Sequence, residues 1–270
     1  MFSLSETVYK FIFSLLVFLY TSIQEGTGDH LKGFYPEKRL SKSSIGQRVA
    51  ADLRMRIISK DLVNGTVLSE NKLSEEYNVS RSPIREALRV LEREDLVQLN
   101  RMGAKVVGIT ERDIDEIYDV RLMMESFVFK HLLEEENNDE LVTDLNKLLE
   151  MMKIAIKYKD ADEFSFRDVE FHETIIKSIN HRYLEILWSN IKPVMECLIL
   201  LDMRHRMEEN YDDFTRVIEN HKLLIQSIQE KDRDLVEIAF CKNFNDVKKN
   251  SDGLWTNPES LKKANDYHHG

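Results

Sequence analysis

From Ile45 onward, apolar side chains recur every three or four positions along the chain. This spacing predicts an amphipathic helix. Asn64-Gly65 then marks a turn, and a short helix follows through Leu73 and Tyr77. A second helix runs from about residue 82 to residue 91. The pattern indicates two short helices separated by a tight break.

Two strand-like runs come next, at 96–99 and 105–107, around a turn that contains Gly103. Short runs of this kind predict a two-stranded β-hairpin. Together with the helices before it, the hairpin predicts a winged helix-turn-helix over residues 41–110.

Beyond Thr110 the pattern is helical, with no hairpin signal before Asp252-Gly253. Pro193 should kink one of these helices, because it removes a hydrogen bond inside it. The expected fold class is therefore mainly α: a winged helix-turn-helix followed by an all-α antiparallel bundle over 111–250. The expected helices of the bundle lie at about 111–135, 139–159, 161–179, 181–203, 211–230 and 232–249.

The two ends of the chain lie outside this pattern. Residues 1–40 are an extension whose apolar run at 11–20 is shorter than the roughly 20 residues that a transmembrane helix needs. Three alternatives are open for residues 1–40: an extension with no role in the fold, a membrane-surface anchor, or a helix packed on the rest of the protein. Residues 251–270 are polar and are expected to form a loose tail.

Charge divides the chain in the same way. The 270 residues carry a net charge of −10, but residues 41–110 are net +3, from 12 basic and 9 acidic residues. Residues 111–270 are net −13, from 22 basic and 35 acidic residues. A basic unit before an acidic one suggests that only the first meets a polyanion.

Composition excludes several protein classes. Nine Gly and four Pro are few for a turn-rich all-β fold. Cys197 and Cys241 form no CxxC pair, so they indicate neither a disulfide framework nor a Cys-rich zinc module. A reducing cytoplasm is the expected compartment.

The second short helix carries arginines every four residues. Such a helix enters the major groove with its N-terminal residues at the base edges, and Arg can pair with guanine O6 and N7 together. We therefore predict that Arg81 and Arg85 read bases. The other DNA-binding candidates are Ser80, Ser82, Arg89, Arg101 and Lys105. On spacing alone, a merely solvated arginine face explains the pattern equally well.

The stretch from residue 64 to residue 98 reads NGTVLSENKLSEEYNVSRSPIREALRVLEREDLVQ. It resembles the winged helix-turn-helix of the GntR family of bacterial transcription regulators. Its most specific part is VSRSPIREALRVLE, and Gly103 matches the wing.

This resemblance implies that Arg81 and Arg85 contact operator DNA, with help from Ser80 and Ser82. Some members of the family carry a further DNA-contacting arginine in the preceding helix. This chain has Asn71 there, so that contact is not carried over.

Polar residues interrupt the apolar stripes of the predicted bundle. Asp168 and His172 stand at i and i+4, where two side chains share one helix face and can hold one ion. His221 and Asn243, from later helices, would complete a site of nitrogen and oxygen ligands. Such a set permits zinc, nickel, manganese or iron without choosing among them. A single histidine on an apolar face is usually a core residue bonded to a backbone carbonyl. Three helices that each present a polar residue inward make a metal site as good an explanation as three core residues.

The first helix of the bundle directs Arg121 inward, on the same apolar stripe as Glu125. A buried arginine seeks a carboxylate. That carboxylate is either Glu125, one turn away, or a carboxylate on a ligand.

The segments EIYDVRLMMES, FRDVEFHETIIKSINHRYL and ENHKLLIQSIQEKDRD resemble the FCD effector domain of FadR-type GntR regulators. In metal-binding members an Asp and three His hold a divalent ion. Asp168, His172 and His221 match the first three positions, and Asn243 replaces the last histidine. The matching arginine lies beside the effector cavity, which implies a small organic acid near Arg121.

These observations predict a homodimeric, effector-responsive bacterial regulator that binds a palindromic operator in double-stranded DNA. Two alternatives remain at this point. One is a metal-dependent enzyme acting on a small acid, because two His and a carboxylate can activate water. The other is a membrane-tethered regulator that uses residues 8–23.

Overall fold

The computed structural model describes residues 35–101 and 103–244. The expectations for most of the N-terminal extension and for the C-terminal tail lie outside these residues. The described chain forms two compact units, and its mainly α fold class is confirmed. One comprises the described part of Met1–Glu111 with Pro193–Leu201, and the other the described parts of Arg112–Lys192 and Asp202–Gly270.

Three α-helices lie in the N-terminal part of the first unit: α1 (Ile45–Ile58), α2 (Glu70–Glu76) and α3 (Arg81–Arg93). A capping box starts α1, since the Gln47 amide donates to Ser44 Oγ at 3.1 Å and the Ser44 amide to Gln47 Oε1 at 2.9 Å. Helices α1 and α3 pack against each other. Their buried side chains include Leu53, Met55, Ile57, Ile84, Leu88 and Leu91.

The wing contains the expected two-stranded hairpin, and a third strand pairs with it. Strands β1 (Val67–Ser69), β2 (Val97–Asn100) and β3 (Gly103–Val106) form an antiparallel sheet in the order β1-β3-β2. The expectation missed β1 because three residues are too short to show an alternating pattern.

Gly103, the first residue of β3, lies against the backbone of β1. It pairs with Ser69 and has a φ of 151°. A Cβ atom here would lie 1.9 Å from the backbone oxygen of Leu68. Only glycine permits this close approach.

Six α-helices follow among the described residues: α4 (Glu111–Glu134), α5 (Asp139–Lys157), α6 (Ala161–Lys177), α7 (Arg182–Glu209), α8 (Phe214–Glu230) and α9 (Arg233–Phe244). Helix α7 runs continuously through Pro193 to a point six residues beyond its expected end near 203. Helix α5 packs on α6 and α8, and α8 packs on α9. Edge-to-face ring pairs contribute to the core, such as Phe164 with Phe214 at 4.8 Å between centroids.

None of the described helices combines the length and the apolar character that crossing a bilayer requires. The apolar run at 11–20 lies outside the described residues.

Candidate DNA-binding surface and buried metal and effector site

Helix α3 has one buried and one exposed face. Ile84, Ala87, Leu88 and Leu91 are buried against the first unit. All seven DNA-binding candidates are exposed, five at or on α3 and two in the wing: Ser80, Arg81, Ser82, Arg85, Arg89, Arg101 and Lys105. Ser80 is the N-cap residue of α3, but its side chain makes no capping hydrogen bond. Its hydroxyl is therefore not committed to the helix.

The second unit contains a buried cluster of potential metal ligands. Asp168 and His172 lie one turn apart on α6, and His221 lies on α8. Ligand atoms of the three residues all lie within 4.8 Å of one another. The exposed fractions of the three residues are 8%, 1% and 2%. The i, i+4 spacing on α6 and the packing of α5, α6 and α8 bring them together.

The hydrogen bonding of His221 supports a cation at this cluster. Its Nδ1 lies 2.8 Å from the Val217 carbonyl oxygen, which can only accept, so Nδ1 carries the proton. Its Nε2 lies 3.0 Å from Asp168 Oδ1, without a well-aligned hydrogen bond. In a neutral ring, Nε2 and the carboxylate are both acceptors. A second proton or a cation must therefore lie between them.

His172 and Arg121 share one carboxylate. Arg121 Nε donates to Glu125 Oε1 at 2.8 Å, and His172 Nδ1 lies 2.9 Å from the same oxygen, though poorly aligned. Glu125 is fully buried. A carboxylate behind a histidine orients the ring and raises its basicity toward a metal. Glu125 therefore joins Arg121 to the ligand cluster.

The protonation states of the cluster suit metal binding. Burial raises the pKa of Asp168 and Glu125, but the neighbouring histidines and Arg121 outweigh burial and lower both pKa values overall. Burial and then Arg121 lower the pKa of His172. Two carboxylates are thus ionised and His172 is neutral near pH 7, as metal ligation requires.

Asn243, the fourth expected ligand, uses its side-chain amide nitrogen to bind backbone carbonyls. Its Nδ2 donates to the carbonyl of Asn220 at 2.9 Å and to that of Ala239 at 3.0 Å. In return, Asn220 Nδ2 donates to the carbonyl of Lys242 at 3.0 Å. These bonds tie α9 to α8 and leave at most the amide oxygen of Asn243 for a metal.

The sequence placed Glu125 beside Arg121 but missed its contact with His172. The i, i+4 spacing is visible in the sequence, whereas a contact between α4 and α6 depends on helix packing. No local signal reports it.

Comparison with known proteins agrees with this architecture. Residues 45–107 match the model of the gntR family of bacterial regulatory proteins, and residues 116–242 match the FCD domain. A gluconate operon transcriptional repressor of Bacillus licheniformis is 59% identical over 230 residues, which cover 85% of this chain and 94% of that protein. The chain belongs to the GntR family. It is a DNA-binding transcription regulator with an FCD effector domain, not an enzyme.

Two further relatives of this GntR family protein are informative. The gluconate operon transcriptional repressor of Bacillus subtilis (strain 168) is 54% identical over 233 residues, covering 86% of this chain and 96% of that protein. The solved structure of E. coli McbR/YncC superposes with a TM-score of 0.57 at 19% identity, covering 83% of this chain and 99% of that one. This structural likeness concerns the fold alone.

Proposed function

We propose that this protein is a cytoplasmic repressor of genes for gluconate use, released from its operator by gluconate or a related sugar acid. The observation that carries the proposal is the 59% and 54% identity, over nearly full length, to two gluconate operon repressors. Gluconate is a small organic acid, the ligand class expected near Arg121.

The first unit supports operator reading. Arginines and serines line the exposed face of α3, while its opposite face is buried. Arg81 and Arg85, near the N-terminal end of α3, would contact base edges. The exposed Arg101 and Lys105 of the wing would contact phosphates, which fix register without reading sequence.

The charge of the buried cluster supports an anionic effector that binds with a metal. Ionised Arg121, Glu125 and Asp168 together carry one net negative charge, and a divalent cation would reverse it to one net positive charge. Asp168, His172 and His221 would hold this ion, and His221 already leaves a place for a cation beside Asp168. When bound, the ion would supply a Lewis-acid contact for the effector carboxylate.

An exposed apolar patch supports a homodimer. The patch consists of Met123 and Phe127 on α4 and Tyr183, Ile186 and Leu187 on α7, which are between 39% and 67% exposed. The ring centroids of Phe127 and His181 are 5.6 Å apart, so Phe127 lies beside the N-terminal end of α7. A two-fold interface places the same patch on both subunits. The five residues of the patch are uncharged, so two copies of it can face each other without bringing like charges together.

Helix α7 is a candidate for the coupling element. Its residues 193–201 belong to the first unit, and the rest of it belongs to the second. A ligand can act only if it binds the DNA-competent and incompetent arrangements with different affinity. We propose that effector binding shifts α4 or α7 and so changes the spacing of the two DNA-reading heads.

Fluorescence anisotropy tests the function. The probe is labelled duplex DNA from the region upstream of the protein's own gene and of neighbouring gluconate genes. We expect saturable binding that weakens steeply with salt, because phosphate contacts release counterions. Absence of such binding to every duplex tested would refute the proposal.

Sedimentation velocity tests the dimer. Leu187→Glu should shift the protein toward the monomer, because it places a charge in the patch. Ile154→Glu is the matched control, since Ile154 is 55% exposed on α5 outside the patch. An unchanged Leu187→Glu dimer would place the interface elsewhere.

A further inference from the structure

Three of the exposed arginines of α3 are predicted to contact DNA, and they differ in what holds them. Arg85 Nε donates to both carboxylate oxygens of Glu70, at 3.0 and 2.9 Å. Among the described residues, Arg81 and Arg89 have no hydrogen bond or ion pair from their side chains. Only one of the predicted DNA-contacting arginines is therefore anchored before DNA arrives.

Because Glu70 binds one edge of the Arg85 guanidinium group, only the other edge is available to DNA. A guanidinium is planar, with donors in a fixed fork. Glu70 occupies the Nε edge, so the two terminal Nη groups remain at the tip of the side chain, which is 56% exposed. This end matches the O6 and N7 acceptors of guanine. The pair thus fixes the direction in which Arg85 presents its donors.

Glu70 is itself held in place. It is the first residue of α2, directly after β1, which pairs with β3. A carboxylate in the first turn of a helix is stabilised by the helix dipole. The Glu70 side chain is 17% exposed, against 56% for Arg85. The Glu70 carboxylate is therefore the fixed partner of the pair, and it orients Arg85.

We propose that Glu70 is a positioning residue that orients Arg85 for one base pair in each operator half-site and so sets the base preference there. This inference rests on the proposed DNA-reading function. The opposite role is that Glu70 neutralises Arg85 and weakens DNA binding. The two roles predict opposite results when Glu70 loses its charge.

The experiment selects binding sites from a randomised duplex library with full-length wild type, Glu70→Gln and Glu75→Gln. Glu75 lies on the same helix, is exposed and makes no side-chain ion pair among the described residues. Its substitution therefore removes the same charge without touching Arg85. Melting temperatures and the salt dependence of binding are measured for each variant.

We expect wild type and Glu75→Gln to select the same palindromic motif. Glu70→Gln should lose the preference at one position of each half-site, with discrimination there falling by about tenfold, within the range of one bidentate base contact. The lost position should be the one that Arg85→Ala also loses, and Glu70→Gln should have no further effect in the Arg85→Ala background. The salt slope should stay unchanged, because no phosphate contact is removed.

Three outcomes would overturn the inference. In the first, Glu70→Gln selects the same full motif as wild type. In the second it binds every sequence more tightly, and in the third its base preference weakens equally at all positions. If wild type selects no motif at all, the proposed DNA-reading function fails as well, and that result is distinct from the other three.

Discussion

Two Arg–Glu ion pairs in this protein have nearly the same length and very different surroundings. Arg85 and Glu70 are 2.9 Å apart, with side chains 56% and 17% exposed. Arg121 and Glu125 are 2.8 Å apart, with side chains 8% and 0% exposed. Water screens the first pair but not the second. Distance alone therefore says little about what each pair does.

The comparison separates orientation from stability. An exposed pair contributes about 0–1 kcal/mol, so Arg85 and Glu70 are free to serve DNA recognition. Breaking a buried pair leaves an uncompensated charge and costs about 3–5 kcal/mol. The buried pair is thus part of the structure on which the ligand cluster rests.

The largest expected effect is on stability when Glu125 is removed. Glu125→Ala should lower the free energy of unfolding by about 3–5 kcal/mol, because Arg121 and His172 lose the buried carboxylate that both of them contact. Urea denaturation measures this change. The control is the double variant Arg121→Met/Glu125→Leu, which removes both charges and should lose much less. A loss below about 1 kcal/mol, as for an exposed pair, would contradict the difference between the pairs.

The next effect concerns metal affinity. Glu125→Gln keeps the shape of the side chain but weakens its support of His172, so divalent metal should bind about 10–100-fold more weakly. Calorimetric titration with zinc and manganese measures it. Glu173→Gln serves as control, because Glu173 pairs with Lys177 and Lys192 instead. Equal affinities in both variants would show that Glu125 does not support the metal ligands.

A half-buried ion pair should show an intermediate, pH-dependent effect. Asp213 accepts from Arg216 at 2.7 Å and also contacts Arg206. Burial raises its pKa, but these arginines outweigh burial and lower the pKa below 3.8. A carboxylate whose pKa is lower in the folded state stabilises the fold at pH values above its unfolded pKa. This stabilisation is lost as the pH falls through the folded pKa.

Asp213→Asn should therefore cost about 1 kcal/mol at pH 7, in the range of a surface ion-pair network. The difference from wild type should shrink below pH 4. Urea denaturation across this pH range measures it. A difference that stays constant with pH would show that the carboxylate charge is not responsible.

The smallest effect on stability is expected at the exposed pair. Glu70→Gln should change the free energy of unfolding by less than about 0.5 kcal/mol, because solvent screens the pair. Its effect should appear in base preference instead. A loss as large as that of Glu125→Ala would remove the distinction between the two pairs.

Local spacing predicted much of the fold and of the buried site. The i, i+4 pairs Asp168–His172 and Arg121–Glu125 were visible in the sequence, and the structure brings each pair together. His221 was visible as a polar residue in an apolar stripe. These signals work because one helix fixes the geometry of residues three and four apart.

Contacts between distant elements were not visible. Glu70 and Arg85 are 15 residues apart on different helices, and Glu125 meets His172 only because α4 and α6 lie together. Strand β1 has only three residues, of which Leu68 alone is buried, so its sequence shows no alternating pattern that would predict a strand. Each of these features depends on tertiary packing.

The most direct test of the central claim measures whether the buried cluster controls DNA binding. Operator affinity is determined at one fixed salt concentration, with and without gluconate, for metal-loaded wild type and for Asp168→Asn. Gluconate should weaken wild-type binding by about 5–150-fold, the usual range of allosteric coupling, while glucose, which lacks the carboxylate, should not. Asp168→Asn should bind the operator with the same affinity in both conditions. An equal gluconate response in both proteins, or none in wild type, would contradict the account.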